Sequence, residues 1–219
     1  MSKPISIVII TYNRPDDLLV LLKSITEQND AAQLLESVII IDNASTVDMH
    51  LVTDFVATQN LPIKYEFSNE NLGVARGRNK GIEMAKAPII VTIDDDAYFK
   101  EHDALQKIVT LFNSEFAQQN NVGAFCFKVF YESTGELQKN AFPHKKFDNY
   151  KNKNQFLTSY FIGCGHAILK KVYDTVGEYP VDFFYGMEEY DLSYRILNND
   201  YKIAYNDIIS ILHKESPIG

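Results

Sequence analysis

Short apolar runs alternate with segments of helical spacing along the first hundred residues. Four runs rich in β-branched residues predict strands at 6–10, 38–41, Ile63–Phe67 and 88–93. Helices are predicted between them, beginning at Pro15 and covering 47–58 and 74–86. Strand and helix therefore alternate four times, which predicts an α/β fold with a mostly parallel sheet and right-handed crossovers.

After residue 96 the pattern becomes irregular. We predict helices at 103–116, Lys170–Val176 and Glu188–Asn198, and strands at Val122–Tyr131, 136–138, 158–162, 201–205 and 208–212. The lysine-rich stretch 144–154 predicts a mobile loop that is either simply solvated or used to hold an acidic acceptor or to close over phosphates. No internal repeat is present, so one domain is expected over 1–219, with halves at 1–97 and 98–219.

Bulk composition narrows the class of protein. The 219 residues carry a net charge of −8 and are 46% hydrophobic, which is ordinary for a globular domain and argues against nucleic-acid binding. Cys126 and Cys164 lie far apart and predict free thiols in a reducing compartment. Neither a signal-peptide pattern nor an apolar run of about 20 residues is present, so a cytoplasmic location is expected.

Polar clusters follow three of the four predicted strands, at 11–14, 42–45 and Asp94–Asp96. The carboxyl ends of parallel strands share one edge of a sheet, where ligands bind in open α/β folds. Three consecutive carboxylates repel one another unless a cation or ordered donors neutralise them. We therefore favour a divalent metal holding a diphosphate over a solvated acidic turn. The dinucleotide-binding and P-loop glycine patterns are absent after the first strand.

Five motifs together resemble family 2 glycosyltransferases. They are S-I-V-I-I-T-Y-N-R at 6–14, I-D-N-A-S at 41–45, N-E-N-L-G-V-A-R-G-R-N-K-G at 69–81, I-D-D-D at 93–96 and Y-G-M-E-E-Y-D-L at 185–192. The resemblance spans nearly the whole chain and implies a GT-A fold, with a nucleotide-binding half followed by an acceptor-binding half. It also implies inverting transfer from a nucleotide sugar.

The resemblance assigns roles position by position. It places the nucleotide against Thr11, Tyr12, Asn13, Arg14, Asp42, Asn71, Arg76, Asn79, Asp94 and Asp95. Asp42 would accept the imide N–H of uracil or thymine. Asp96 and His213 would bind Mn²⁺ or Mg²⁺, although a lone histidine at a strand end is more often structural.

The acceptor side is implied in the second half of the chain. The resemblance places the acceptor against Gly163, Cys164, Gly165, His166 and Glu188. Glu189 would be the catalytic base, at a pair that reads Glu-Glu where the family has Glu-Asp. Acidic residues in the first turn of a helix are also ordinary helix-start chemistry, so Glu188 and Glu189 have a structural alternative.

The expected activity is transfer from a UDP- or dTDP-sugar to a saccharide or lipid-linked saccharide, in surface or capsular polysaccharide synthesis. Two alternatives stay open: a nucleotidylyltransferase, which would need a glycine-rich basic loop after the first strand, and a non-catalytic sugar-nucleotide or polysaccharide binding module. Peripheral membrane association at the cytoplasmic face is also left open, and the sequence indicates no oligomeric state.

Overall fold

The computed structural model describes residues 3–182 and 186–214. Its strands are β1 (Ile5–Thr11), β2 (Leu35–Asp42), β3 (Ile63–Phe67), β4 (Ile89–Ile93), β5 (Ala97–Phe99), β6 (Val122–Tyr131), β7 (Gln155–Thr158), β8 (Gly165–Leu169) and β9 (Lys202–His213). Its helices are α1 (Pro15–Thr26), α2 (Ala31–Leu34), α3 (His50–Thr58), α4 (Gly73–Met84), α5 (Ala104–Asn113), α6 (Glu115–Gln119), α7 (Phe147–Tyr150), α8 (Lys170–Val176) and α9 (Glu188–Asn198).

One twisted sheet runs through both halves in the order β3-β2-β1-β4-β8-β6-β9-β5, with β7 also paired to β9. The first four strands are parallel, as predicted. Thr11 of β1 lies in register with Asp42 of β2, which lies in register with Phe67 of β3. The predicted α/β class is confirmed, and the polar tips of these strands lie along one edge.

Helices cover both faces because the strands of the first half are apolar on both sides. Ile7 and Ile9 of β1 face the core formed with α1, α3 and α5, whereas Val8 faces the core formed with α4, α8 and α9. Gly81 lets α4 pack directly on β1, because a Cβ built there would collide with Val8. This close packing holds the polar face of α4 near the strand tips. None of the helices in the described ranges is long and apolar enough to cross a membrane.

The second half differs from the prediction in its pairing. The predicted strands 201–205 and 208–212 are a single strand, β9, whose register against β6 jumps between Tyr205 and Ser210. The polar residues between them indicated a break, but they form a bulge that bends the strand without ending it.

The region around the predicted strand 158–162 is also different. The strand there, β7, ends at Thr158, and the next strand, β8, begins at Gly165 and pairs with both β4 and β6. Gly165 and His166 therefore lie in a central strand and not in the predicted turn, which contains Gly163 and Cys164. A Cβ at Gly165 would collide with Ile211, so close strand packing explains this glycine.

Smaller differences complete the comparison. The predicted strand 136–138 is reduced to one bridge between Leu137 and Phe130. The segment 144–154, predicted as a loop, contains helix α7. Strand β5 and helix α2 carry too few residues for a periodic signal and were not predicted.

Candidate active site

The three polar strand tips contact one another at the sheet edge. The Thr11 hydroxyl donates to Asp95 Oδ2 at 2.7 Å, which joins the tip of β1 to the residues that follow β4. The Asn43 backbone N–H donates to the Thr11 carbonyl at 2.8 Å, which joins the tips of β1 and β2. The predicted convergence of residues 11–14, 42–45 and 94–96 is therefore confirmed.

Arginines from two different helix regions neutralise much of the acidic cluster. Arg14 donates to Asp96 and lies 3.8 Å from Asp95, while Arg78 Nη2 lies 3.1 Å from Asp94 Oδ1. Burial raises the pKa of Asp95 to about 7, although the Thr11 hydroxyl and Arg14 act in the opposite direction. Burial likewise raises the pKa of Asp94, partly opposed by Arg78.

Asp96 and His213 form the part of the cluster that suits a cation. Asp96 Oδ1 and His213 Nε2 are 3.3 Å apart, close to the roughly 3 Å that separates adjacent ligands of one small divalent ion. Burial opposes ionisation of Asp96, but His213 and Arg14 outweigh it and lower the pKa of this carboxyl. In the part of the chain that the structure describes, no three His, Cys, Asp or Glu side chains are arranged to enclose a metal. The pair therefore fits an ion that would take its remaining ligands from water or a bound molecule.

Gln138 orients the imidazole of His213 and was not predicted. Its Oε1 lies 2.8 Å from His213 Nδ1, and an amide oxygen can only accept, so Nδ1 carries the proton. With Nδ1 protonated, Nε2 is the nitrogen that faces Asp96: it donates to the carboxylate while the ring is charged, and it is the nitrogen that could bind a cation once the ring loses its second proton. Gln138 is only 2% exposed. Nothing in the sequence marks it, because it lies in an irregular segment far from His213 in the chain.

Arg78 is the second functional residue that was not predicted. It is 3% exposed, and its Nη1 lies 2.6 Å from Glu189 Oε1 and 3.6 Å from Glu188 Oε1. Its Nη2 reaches Asp94, so one guanidinium joins the strand tip of the first half to α9 of the second. Burial would lower the pKa of Arg78, but Asp94, Tyr179 and Glu189 raise it overall.

A sequence signal for Arg78 does exist. Val74, Arg78 and Ile82 are spaced by four residues, so Arg78 lies on the apolar stripe of α4. A charged residue on such a stripe needs a buried partner, and this is the signal that could have identified it.

Glu188 and Glu189 lie together in the first turn of α9 but differ in exposure. The Glu189 side chain is 15% exposed, whereas that of Glu188 is 3% exposed. Burial, and next the charge of Glu189, raises the pKa of Glu188. A Cβ at Gly163 would collide with Glu189 Oε1, so this glycine makes room for the carboxylate and for Arg78. Gly163 therefore contacts the predicted base, and its predicted contact with an acceptor stays a prediction.

Two predicted acceptor residues are enclosed by protein. His166 is fully buried, with Nε2 2.8 Å from the Tyr179 hydroxyl and Nδ1 3.1 Å from the Ile162 carbonyl. Burial, and next Arg78, lowers the pKa of His166 to about 3, so the ring is neutral. Cys164 is 5% exposed, and its carbonyl accepts from the Asp94 N–H. Both side chains therefore have structural contacts, and acceptor contacts by Cys164 and His166 stay predictions.

Tyr12, Asn13 and Asp42 lie around the predicted nucleotide pocket. Tyr12 is exposed, and Asn13, with φ of 58°, accepts from the β2–α3 loop through its side chain. Asp42 accepts from the Tyr65 hydroxyl and from the Ser45 N–H at 2.8 Å, so its carboxylate is held in one orientation. Burial and the contact with Asp42 raise the pKa of Tyr65.

Three further predicted nucleotide residues lie at the start of α4 or on it. Asn71 Oδ1 accepts from Asn43 Nδ2 at 2.9 Å, which ties the loop before α4 to the tip of β2. Arg76 is exposed on the first turns of the helix. The Asn79 amide exchanges two hydrogen bonds with the Tyr179 backbone, at 2.8 and 3.0 Å. Asn79 therefore has a structural contact, and nucleotide contacts by these residues stay predictions.

Comparison with known proteins places this site in a family. Residues 6–177 match the model for glycosyl transferase family 2, a range that includes all three strand tips and ends before Glu189 and His213. An uncharacterised protein of Haemophilus influenzae is 32% identical over 181 residues, covering 80% of this chain and 92% of that protein.

Solved glycosyltransferases have the same fold. A Pyrobaculum calidifontis mannosyltransferase, in complex with GDP-Man and Mn²⁺, superposes with a TM-score of 0.78 at 21% identity, covering 99% of this chain and 59% of that one. GalNAc-T7, with UDP, GalNAc and Mn²⁺, gives 0.77 at 15% identity, covering 99% and 45%. TarS 1-349 of S. aureus, with UDP-GlcNAc, gives 0.72 at 16% identity, covering 97% and 59%.

The chain thus spans less than two thirds of each of these three structures. At identities this low, the structural superpositions show the fold alone. The family model matches most of the chain and therefore shows the family. Both agree with a sheet edge at which carboxylates, arginines and a histidine converge. The chain belongs to glycosyl transferase family 2 and has the GT-A fold.

Proposed function

We propose that this protein is a metal-dependent, inverting glycosyltransferase that uses a UDP- or dTDP-sugar and a saccharide hydroxyl as acceptor, in surface polysaccharide synthesis. The observation that carries the proposal is the arrangement of charge. A carboxylate cluster with a histidine lies at the tips of parallel strands, and Glu189 faces it through the guanidinium of Arg78.

The donor nucleotide would bind along the tips of β1 and β2. Asp42 would accept the imide N–H of the base, and Tyr65 and Ser45 already hold its carboxylate in place. Tyr12 offers an exposed ring beside it. The similar structures contain GDP-Man, UDP or UDP-GlcNAc. Binding experiments with different nucleotides therefore decide which nucleobase this protein prefers.

Asp96 and His213 would hold Mn²⁺ or Mg²⁺, with Gln138 keeping His213 in the required tautomer. A bound ion would supply Lewis-acid neutralisation of the diphosphate leaving group. Arg14, which lies against the same carboxylates, would provide a second positive charge for that group. Binding the diphosphate between these residues aligns the sugar for attack, and alignment is a large part of catalysis.

Glu189 would remove the proton from the acceptor hydroxyl. The acceptor oxygen forms a bond to the anomeric carbon while the bond from that carbon to the diphosphate oxygen breaks, and the proton remains on Glu189. A single base opposite the leaving group gives inversion. Arg78 would orient this carboxylate relative to Asp94, and the buried Glu188 would support Arg78 without contacting the acceptor.

A thermal-shift comparison of UDP, dTDP and GDP, each with and without Mn²⁺, tests the proposal. A free ligand concentration of 100 times Kd stabilises the folded state by about 2.7 kcal/mol, which gives a measurable rise in Tm. We expect a metal-dependent rise with UDP or dTDP that is lost in Asp96→Ala and retained in Asp54→Ala, an exposed control on α3. A rise that survives in Asp96→Ala, or no rise with UDP or dTDP, would contradict it.

A further inference from the structure

Residues 139–153 form a basic stretch on an acidic protein, and we name it the basic segment. It carries five lysines and one aspartate, in a chain whose net charge is −8. The lysines are Lys139, Lys145, Lys146, Lys151 and Lys153. None of these lysines is among the residues proposed above for donor binding, the metal or catalysis.

Aromatic packing gives this segment a defined shape. Phe142 and Phe147 meet edge to face with centroids 5.2 Å apart, and His144 stacks on Tyr150 at 3.6 Å. Tyr150 in turn meets Phe156 of β7 at 4.9 Å. These rings pack inward against the sheet, so the segment is a built surface and not only a solvated loop.

Three lysines lie over those rings. Lys139 and Lys151 have their ammonium groups 5.8 and 5.6 Å from the centroid of Phe147, and that of Lys153 is 4.1 Å from Tyr150. Cation–π contacts of this kind favour positions near the ring face. Ammonium groups are thereby gathered on the outer side of the aromatic cluster.

Lys146 also lies beside this group, because its backbone N–H donates to His144 Nδ1 at 3.1 Å. Burial, and next the charges of Lys146 and Lys153, lowers the pKa of His144. Asp148 is the segment's single acidic residue, and it pairs with Lys151 at 2.9 Å on the solvent side. The local field is therefore positive, with most of its ammonium groups uncompensated by carboxylates within the segment.

The beginning of the basic segment borders the candidate active site. Gln138, immediately before it, holds His213. Beyond β7, Tyr160 stacks on Tyr190 with centroids 5.1 Å apart, and Tyr190 follows Glu189 in α9. The basic segment thus begins beside the candidate metal side, and the chain that follows it contacts the helix that carries the candidate base.

We propose that the basic segment recognises an acceptor that carries phosphate groups, and this inference rests on the proposed function. All five cations are lysines, and a lysine ammonium binds phosphate as a compact point charge, so an acceptor that carries phosphate groups complements the charge of the segment. A lipid surface fits less well, because Phe147 and Tyr150 are half-buried against Phe142 and Phe156, and no large apolar side chain of the segment is exposed to enter a bilayer.

Binding of labelled poly(glycerol phosphate), measured by fluorescence anisotropy without donor, tests this surface. Lys146→Glu/Lys153→Glu should weaken binding at least tenfold, and Lys146→Arg/Lys153→Arg should retain it. Lys23→Glu/Lys86→Glu changes the net charge equally at exposed positions outside the segment, and its affinity should stay within twofold of the wild type. Raising the salt concentration should weaken wild-type binding, since the contacts are exposed ion pairs.

Three results would overturn the inference. They are equal affinity in the Lys146→Glu/Lys153→Glu variant and the wild type, tighter binding of hyaluronan, a carboxylate polymer, and tighter binding of phosphatidylglycerol vesicles. The metal-dependent nucleotide shift, measured on the same proteins, should be unchanged in every lysine variant. A wild type that binds the polymer but shows no such shift would instead contradict the proposed donor chemistry, so the two failures are distinguishable.

Discussion

The two halves of this protein build their sides of the site in different ways. In the first half, charged residues directly follow parallel strands whose registers align, so local sequence order already brings them together. In the second half, Glu189 begins a helix, His213 ends a bent strand and Gly163 lies in a turn. Their positions depend on antiparallel pairings between distant segments. Arg78 connects the two sides through its contacts with Asp94 and Glu189.

Substitution of the candidate base should produce the largest effect. Glu189→Gln keeps the side-chain shape but cannot accept the acceptor proton, so turnover should fall by about 10²–10⁴-fold. The metal-dependent nucleotide shift should persist, because the first half is intact. Glu188→Gln is the matched control and should lose less than tenfold. Retained turnover in Glu189→Gln would show that Glu189 is not the catalytic base. If the wild type binds the nucleotide but shows no turnover, the non-catalytic binding module would be favoured.

Loss of the connecting guanidinium should be the next largest effect. Arg78→Met leaves Asp94, Glu188 and Glu189 without their shared buried cation, and breaking such a pair costs about 3–5 kcal/mol. Urea unfolding measures the change in free energy. Arg76→Met, on the exposed face of the same helix, should change stability by no more than about 0.5 kcal/mol. Equal stability of the two variants would show that the halves do not depend on this contact.

Substitution of Gln138 tests the cation side more narrowly. Gln138→Leu removes the acceptor that fixes the tautomer of His213, and loss of such a partner weakens metal binding by about 10–100-fold. Mn²⁺ titration followed by electron paramagnetic resonance measures this without donor or turnover. Gln118→Leu, on exposed α6, should bind Mn²⁺ as the wild type does. An unchanged affinity in Gln138→Leu would leave the glutamine with a packing role alone.

The buried His166 should give an effect that is seen as a slope in the free energy of unfolding against pH. Its pKa falls from 6.5 to about 3 on folding, so the unfolded chain binds a proton that the folded chain does not. Its contribution is complete above pH 6.5 and is lost as the pH falls toward 3, by up to about 1.4 kcal/mol per pH unit. Asp95, whose pKa rises on folding, acts in the opposite direction, so the comparison of variants isolates His166.

His166→Gln should flatten this slope even if the variant is less stable at every pH. Urea unfolding at pH 7.0, 6.0 and 5.0 provides the measurement. A slope identical to that of the wild type would mean that folding does not change proton binding by His166, and it would contradict a lowered pKa for the buried imidazole.

Prediction from sequence succeeded for the parallel strands of the first half, where the local hydrophobic pattern and the rules of strand connection both indicate the same sheet. Apolar strands buried on both faces occur as uninterrupted runs, and the alternation with helices implies parallel pairing, so the edge shared by Thr11, Asp42 and Asp94 followed directly. The same patterns carried the family resemblance, which the family model confirms. The lysine-rich segment was also visible as a charge cluster, although its aromatic framework was not.

Tertiary structure alone decided which residues become buried and what they contact. Arg78 is stable inside the protein only because Asp94 and Glu189 arrive from different segments, and sequence spacing does not encode that meeting. His166 and Gln138 acquire their roles in the same way, through Tyr179 and His213. The sequence by itself determined the four parallel strands of the first half, their tips and the family. The connections across the site arise from long-range packing, because the energy of a buried charge depends on partners that are distant in the chain.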